Sequence, residues 1–168
     1  MSKRIDYIVL GIISLLYLTL AISSAASQNA FIDEPAHLSA GYSKLVTNDY
    51  RMNSEAPPLV NMISASPLLG LGLNDYTDSN HWQNKDMVNY SCTWLTNNTQ
   101  PIEKILLWGR LPTIILGLIL GLLIFFLVAK YFGNVTGFVV YLLYATHPMI
   151  LTHSSIAYID FGFLFFNF

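Results

Sequence analysis

Apolar and polar positions along this chain fall into long blocks. Residues 5–24 form a nearly unbroken apolar run whose one charge, Asp6, stands at its start. A second run covers residues 105–129 and carries no charge after Arg110. A third covers residues 135–151, also without charge, and a fourth begins at residue 156 with Asp160 near its start. The hydrocarbon core of a bilayer is about 30 Å thick, which asks for roughly 20 mostly apolar helical residues per crossing. The pattern therefore predicts an all-α, multi-span integral membrane bundle with spans at 5–24, 105–129, 135–151 and 156–168. The fourth run is still apolar at Phe168, and this reads as a partial chain.

Residues 25–104 form one large loop between the first two spans. Its first half, Asp33 to about Gly72, is apolar-rich with helical periodicity: Leu38, Tyr42 and Leu45 recur on one face, as do Leu59, Ile63 and Ser66. Pro35 and the Pro57-Pro58 pair stand where first helical turns tolerate proline. Two short helices at the membrane interface are expected here. From Asn74 to Gln100 the composition turns to Asn, Asp, Ser and Thr, which predicts a solvated loop. Asn89-Tyr90-Ser91, Asn97-Asn98-Thr99 and Asn134-Val135-Thr136 match the glycosylation sequon.

Composition agrees with the block pattern. The chain is 54% hydrophobic and 11% charged, too little polar surface for a soluble domain of 168 residues. A net charge of −2 offers no basic footprint, so no nucleic-acid partner is expected. Cys92 is the one cysteine, which excludes an intrachain disulfide and a cysteine-based zinc site. Lys3 and Arg4 precede the first run and small residues follow it, as in a signal peptide. The run is longer than the usual signal core and further spans follow, so a retained span is expected. Positive-inside bias places Lys3, Arg4 and Lys130 in the cytoplasm. The loop then lies outside, and it holds eight of the ten acidic residues.

Candidate chemistry concentrates in and beside that loop. The pair Asp33-Glu34 stands where the first span emerges. Carboxylates there suit a general base or a divalent-cation site, and equally suit a helix N-terminus, with Asp33 as cap and Glu34 in the first turn. His37 follows on the same helical face. Asp160 is an ionisable group near membrane depth, a functional candidate by default, with interfacial capping as its alternative. Arg110, at the outer end of the second span, suits either snorkelling or an anionic lipid phosphate. His147 and His153 flank Pro148 on the same side without a ligand spacing.

The stretch DEPAHLSAGYSKLVTNDYRMNSEAPPLVNMISASPLL resembles the first outer loop of polyprenyl-phosphate-dependent glycosyltransferases of the GT-C superfamily. That group includes protein O-mannosyltransferases and the lipid A aminoarabinose transferase. The matching positions are Asp33, Glu34, His37, Gly41, Tyr42, Asn53, Glu55, Pro57, Pro58 and Leu59, while Ser54 and Ala56 depart from the pattern. Arg110-Leu111-Pro112 and HPMILTHSSIAYID continue the resemblance. It implies a GT-C-type bundle, present in part, in the bacterial cytoplasmic membrane with the loop outside. It also implies an inverting transfer of a sugar from a polyprenyl-phosphate donor to a hydroxyl acceptor on a protein or glycolipid. By carry-over Asp33 is the base, with Glu34 and Asp160 orienting it. Asp33 and Asp160 would also be the ligands of a possible divalent metal cation. His37, Tyr42, Arg51, Glu55 and Arg110 are then substrate-binding candidates, with Lys44 a further cation for the phosphate. A non-catalytic membrane protein, such as a transporter segment or accessory subunit, or an inactive fragment, fits the spans equally well.

Overall fold

A computed structural model describes residues 3–168. Nine α-helices follow one another among the described residues, with no strand: α1 (Lys3–Ser27), α2 (Glu34–Thr47), α3 (Pro58–Ala65), α4 (Asn80–Gln83), α5 (Met87–Thr96), α6 (Ile102–Phe132), α7 (Asn134–Thr146), α8 (Pro148–Ser154) and α9 (Ile159–Asn167). A 3-10 turn, Ser66–Leu71, extends α3. Helices α1 and α6 are long and apolar enough to cross a membrane. They pack against each other and against α7. Their outer faces expose large apolar side chains such as Ile12, Leu15, Ile119 and Leu123, the surface a lipid environment accommodates.

The third apolar run is not one straight span. Helices α7 and α8 meet at a 61° bend, so the chain has two crossing helices, or three if this bent pair is one span. The cause is local: a proline disfavours helical geometry in the residue before it, and His147 before Pro148 is extended, at φ −70° and ψ 123°. The fourth run opens its helix only at Ile159, and α9 has nine residues.

Both helices expected in the first half of the loop are present, but α2 has no free face. Every residue from Ala36 to Lys44 is buried, because α3 and α5 pack on α2 and α6 reaches it through Gly109. An interfacial helix would leave a polar stripe in water; here that stripe (Ser39, Ser43, Lys44) is covered. The helix ends where Asn48 turns left-handed at φ 57° and donates its N–H to the Lys44 carbonyl.

What covers α2 comes from the segment read as solvated loop. Residues 74–100 contain α4 and α5, whose N-termini are capped by Ser79 and Asp86 side chains accepting from Trp82 N–H and Asn89 N–H. Met87, Tyr90, Trp94 and Leu95 form the apolar face of α5 at helical spacing, and Tyr90 and Trp94 are fully buried. Composition hid this helix because Asn89, Cys92 and Thr96 are exposed on its outer face and Ser91 stands among its buried residues. The outer core thus gathers Leu38, Tyr42, Leu68, Trp82, Tyr90 and Trp94. A second core, inside the spans, gathers Ile13, Tyr17, Ile114, Phe125, Tyr141 and Tyr144.

Gly41 sets the spacing between α2 and α3. A Cβ there would collide with the Asn61 carbonyl oxygen and stand 2.9 Å from the Ala65 methyl. Backbone cannot yield as a flexible side-chain end can. Gly41→Ala is therefore expected to cost about 1–3 kcal/mol by overpacking. Gly11→Ala, with open space around its Cβ, should be neutral or gain up to about 1 kcal/mol from helix propensity. Thermal unfolding of the two variants in one detergent, followed by circular dichroism, checks the sign of each.

A carboxylate cleft beside a buried ion pair

Glu34 and Arg110, both completely buried, are joined across 76 residues of sequence. Arg110 Nε donates to Glu34 Oε1 at 2.8 Å and Nη2 to Oε2 at 2.6 Å. The guanidinium's other N–H groups go to backbone carbonyls at the end of α1 and just beyond it: Nη1 to Ala25 at 2.6 Å and Gln28 at 2.9 Å, Nη2 to Asn29 at 2.9 Å. All five guanidinium donors are thus engaged, and the positive charge lies at a helix C-terminus, where it is favoured. Glu34 is equally saturated. Its Oε1 also accepts the Ala157 N–H at 2.9 Å and its Oε2 the Phe31 N–H at 3.2 Å.

This geometry corrects two expectations. Arg110 neither snorkels nor offers a donor to a phosphate, and Glu34 is not free to orient a base. Their neighbour Asp33 behaves in the opposite way. It occupies the N-cap position of α2, yet its backbone is helical (φ −94°, ψ −8°) and its side chain makes no capping hydrogen bond. The chain entry is instead tied by Glu34, through its side chain and through its N–H to the Phe31 carbonyl at 3.1 Å. The Asp33 carboxylate is exposed and has no hydrogen-bond partner among the described residues.

Asp33 opens onto a cleft of about 260 Å³ lined by His37, Asn53, Glu55, Ala56, Tyr158 and Ile159, with Ala36 and Met87 beside them. His37 is held at the back. Its Nδ1 lies 3.0 Å from Asn61 Oδ1 and 3.1 Å from Asn53 Nδ2. The ring serves one of them at a time, donating to Asn61 when Nδ1 is protonated and accepting from Asn53 when it is bare. Tyr158 meets the imidazole edge-on, with centroids 4.7 Å apart. Burial holds the His37 pKa below its usual value against the Asn61 hydrogen bond and the pull of Asp33, with Lys44 lowering it further and Asp160 opposing. The ring is therefore neutral at neutral pH, and its Nε2 has no hydrogen-bond partner among the described residues.

Glu55 reaches the cleft because Asn53, left-handed at φ 50°, turns the chain just before it. Three other expected residues lie elsewhere. The Tyr42 hydroxyl donates to the Leu73 carbonyl at 2.8 Å and its ring packs on Trp94. Arg51 pairs with Asp49 at 2.8 Å and stacks over Trp82 at 5.2 Å. Tyr42 belongs to the outer core, and Arg51 lies against its Trp82. Lys44 is buried, its Nζ 3.4 Å from the Asn53 carbonyl, and burial lowers its pKa. Asp160, exposed in the first turn of α9, stands beside the cleft and borders two apolar grooves of about 270 and 440 Å³. The first of these grooves also holds His147 and His153.

No three His, Cys, Asp or Glu side chains gather closely enough to hold a metal ion among the described residues. Asp33 and Asp160 share an influence on His37 but do not, with it, make a ligand set. Asn61 and Tyr158 were missed in the sequence. Asn61 had a signal, being the lone amide within the apolar turn Leu59-Val60-Asn61-Met62-Ile63; Tyr158 had none. Comparison with known protein families, with curated proteins and with solved structures finds no match for this chain.

Breaking a buried ion pair from one side leaves an uncompensated charge and typically costs about 3–5 kcal/mol. Arg110→Met and Glu34→Leu are each expected to destabilise strongly in thermal unfolding. Glu34→Leu combined with Arg110→Met should be no worse than Arg110→Met alone. Strictly additive losses in that double-mutant cycle would show that the two side chains act independently.

Proposed function

We propose that this chain carries the acceptor-activating part of an outer-face glycosyltransferase that uses a polyprenyl-phosphate-linked sugar, with Asp33 as its general base. The observation that supports this most is the contrast between adjacent carboxylates. Glu34 is saturated, whereas Asp33 is free, open to solvent and placed at a cleft with His37 and Glu55. The same positions carry the resemblance in the loop. Helices α1 and α6, apolar enough to cross a bilayer, put that loop next to a membrane, where a lipid-linked donor resides.

The chemistry asked of the residues is modest. An acceptor O–H points at Asp33, which takes the proton as oxygen attacks the anomeric carbon. The new C–O bond forms on the face opposite the departing phosphate. The anomeric C–O bond breaks with its electron pair going to the phosphate, so configuration inverts. Phosphate leaves without needing a proton, and a single positioned base contributes typically 10²–10⁴-fold. His37, neutral, offers Nε2 to an acceptor hydroxyl and keeps it oriented. Asp160 lines the two apolar grooves next to Ile159 of the cleft, a place from which a carboxylate can orient the reacting groups. Arg110 takes no part.

A non-catalytic membrane protein is the second reading. It accounts for the spans and for the Glu34–Arg110 pair but not for an unpartnered carboxylate at a polar cleft.

Asp33→Asn in the intact membrane protein is expected to reduce sugar transfer from a radiolabelled polyprenyl-phosphate sugar by about 10²-fold or more without lowering the unfolding temperature, because Asp33 caps nothing. Near-normal transfer by this variant would remove Asp33 as base. Orientation has its own reporter in Cys92, which is free and exposed on α5. A membrane-impermeant maleimide should label it in intact cells. Labelling only after permeabilisation would put the cleft on the cytoplasmic side and end the outer-face reading.

A further inference from the structure

A separate pocket lies at the end of the bundle opposite the loop, where α1 and α7 begin and α6 ends. It measures about 230 Å³, and its walls include Asp6, Tyr7, Phe125, Phe126, Ala129 and Asn134. Asp6 is held on one side only. Its Oδ2 accepts the Asn134 side-chain N–H at 2.9 Å, across 128 residues of sequence. Its Oδ1 is shut off from solvent and has no hydrogen-bond partner among the described residues. None of the ion pairs among those residues includes Asp6. An ionisable group on a helix that crosses a membrane is costly and is normally paired. The carboxylate torsion is soft, so a guest in the pocket can draw either oxygen toward it. Much of the remaining wall is aromatic. Phe125 and Phe126 meet edge-on with centroids 5.2 Å apart, and Tyr7 and Phe126 are exposed on the outside of the bundle, the surface that faces lipid.

We propose that this pocket is a site for the primary ammonium headgroup of a membrane lipid, with Asp6 as its counter-ion and the rings of Tyr7, Phe125 and Phe126 as its walls. A carboxylate among aromatic rings attracts a cation twice, by its own charge and by the negative ring faces. An anion is repelled there. A neutral hydroxyl can satisfy Oδ1 but leaves the charge uncompensated. The cations next in sequence stand outside the lining: Arg4 precedes Tyr7 by one turn and Lys130 directly follows Ala129, both exposed. Lys130 lies over the neighbouring Tyr131 ring at 5.4 Å and pairs with no carboxylate among the described residues. A ligand with its ammonium inside and its phosphate outside matches that order of charges. A zwitterionic lipid at the end of two crossing helices presents both groups. The site rests on α1 and α6 lying in a bilayer and is independent of the proposed transferase reading.

The test offers the intact protein, in detergent, equal amounts of phosphatidylethanolamine, phosphatidylcholine and phosphatidylglycerol with identical acyl chains, and reads the retained lipid by native mass spectrometry. Phosphatidylethanolamine is expected to be retained about threefold or more over phosphatidylglycerol. Phosphatidylcholine keeps the ring attraction but has no N–H to donate, and should fall between them. Asp6→Asn should bring the ethanolamine-to-glycerol ratio to one or below, and Asp6→Glu should restore part of it. Asp78→Asn, an exposed carboxylate in the loop, should leave the ratio as in the wild type. Equal retention of the three lipids, phosphatidylcholine retained as well as phosphatidylethanolamine, or an undiminished ratio in folded Asp6→Asn overturns the proposal. Should Asp6→Asn fail to fold, Phe126→Leu decides: its side chain is 56% exposed, so the fold tolerates the change, and an undiminished ratio in that variant overturns the proposal equally. No readout depends on sugar transfer, so the result stands apart from the role of Asp33.

Discussion

The arrangement of this chain depends on one buried guanidinium. Arg110 stands on α6, yet its five N–H groups end on the last turn of α1, on the link that follows it, and on the first residue of α2. Glu34 passes the connection on to the Ala157 backbone just before α9. Taking two charges out of water costs several kcal/mol per ion, and their mutual attraction repays that only when every donor and acceptor is matched. Such a pair adds little net stability, but it penalises every arrangement in which one group is left unmatched. What it contributes is position: the point where the loop leaves α1 is fixed against α6 and against the start of α9.

That position explains why two neighbouring carboxylates have different chemistry. Consecutive residues at a helix start point about 100° apart, so when Glu34 faces inward to Arg110, Asp33 faces outward. Asp33 keeps helical backbone angles and its side chain caps nothing, and Pro35 in the first turn has no N–H that would need a cap. The free carboxylate is a consequence of the saturated one. Gly109 serves the same junction from the other side, since a Cβ there would press to 2.6 Å from a Leu38 methyl and hold α6 away from α2.

Much of the fold was legible because long apolar runs and helical spacing are local signals. The two long helices and the two loop helices follow directly from them, as do the proline-marked starts at Pro35 and Pro58. What escaped was set by contacts distant in sequence. The burial of α2 on all sides depends on α5, which Asn-, Ser- and Thr-rich composition disguised. The partnership of Glu34 with Arg110 spans 76 residues, and no spacing rule announces it. Each residue alone reads as an interfacial charge. The site residues divide in the same way. Asp33, His37 and Glu55 do meet at one cleft. Tyr42 and Arg51 share their stretch of sequence but turn to the outer core, because a helix or a left-handed turn sends adjacent residues to different faces.

The cleft lies at the edge of the outer core, whose Met87 is among its lining residues. Its back wall is α2, held to α3 by the close approach at Gly41 that brings Asn61 to His37. Its far side is the extended segment at Tyr158, which ends the excursion begun by the bend at His147. Asp33 is open to water at this edge, and water permits its carboxylate to remain without a protein partner beside a saturated ion pair. The polar character of the cleft thus follows from the residues these turns bring to it, and its carboxylates stay unpaired because Arg110 is closed around Glu34, Arg51 is paired with Asp49 and Lys44 is buried behind the Asn53 backbone.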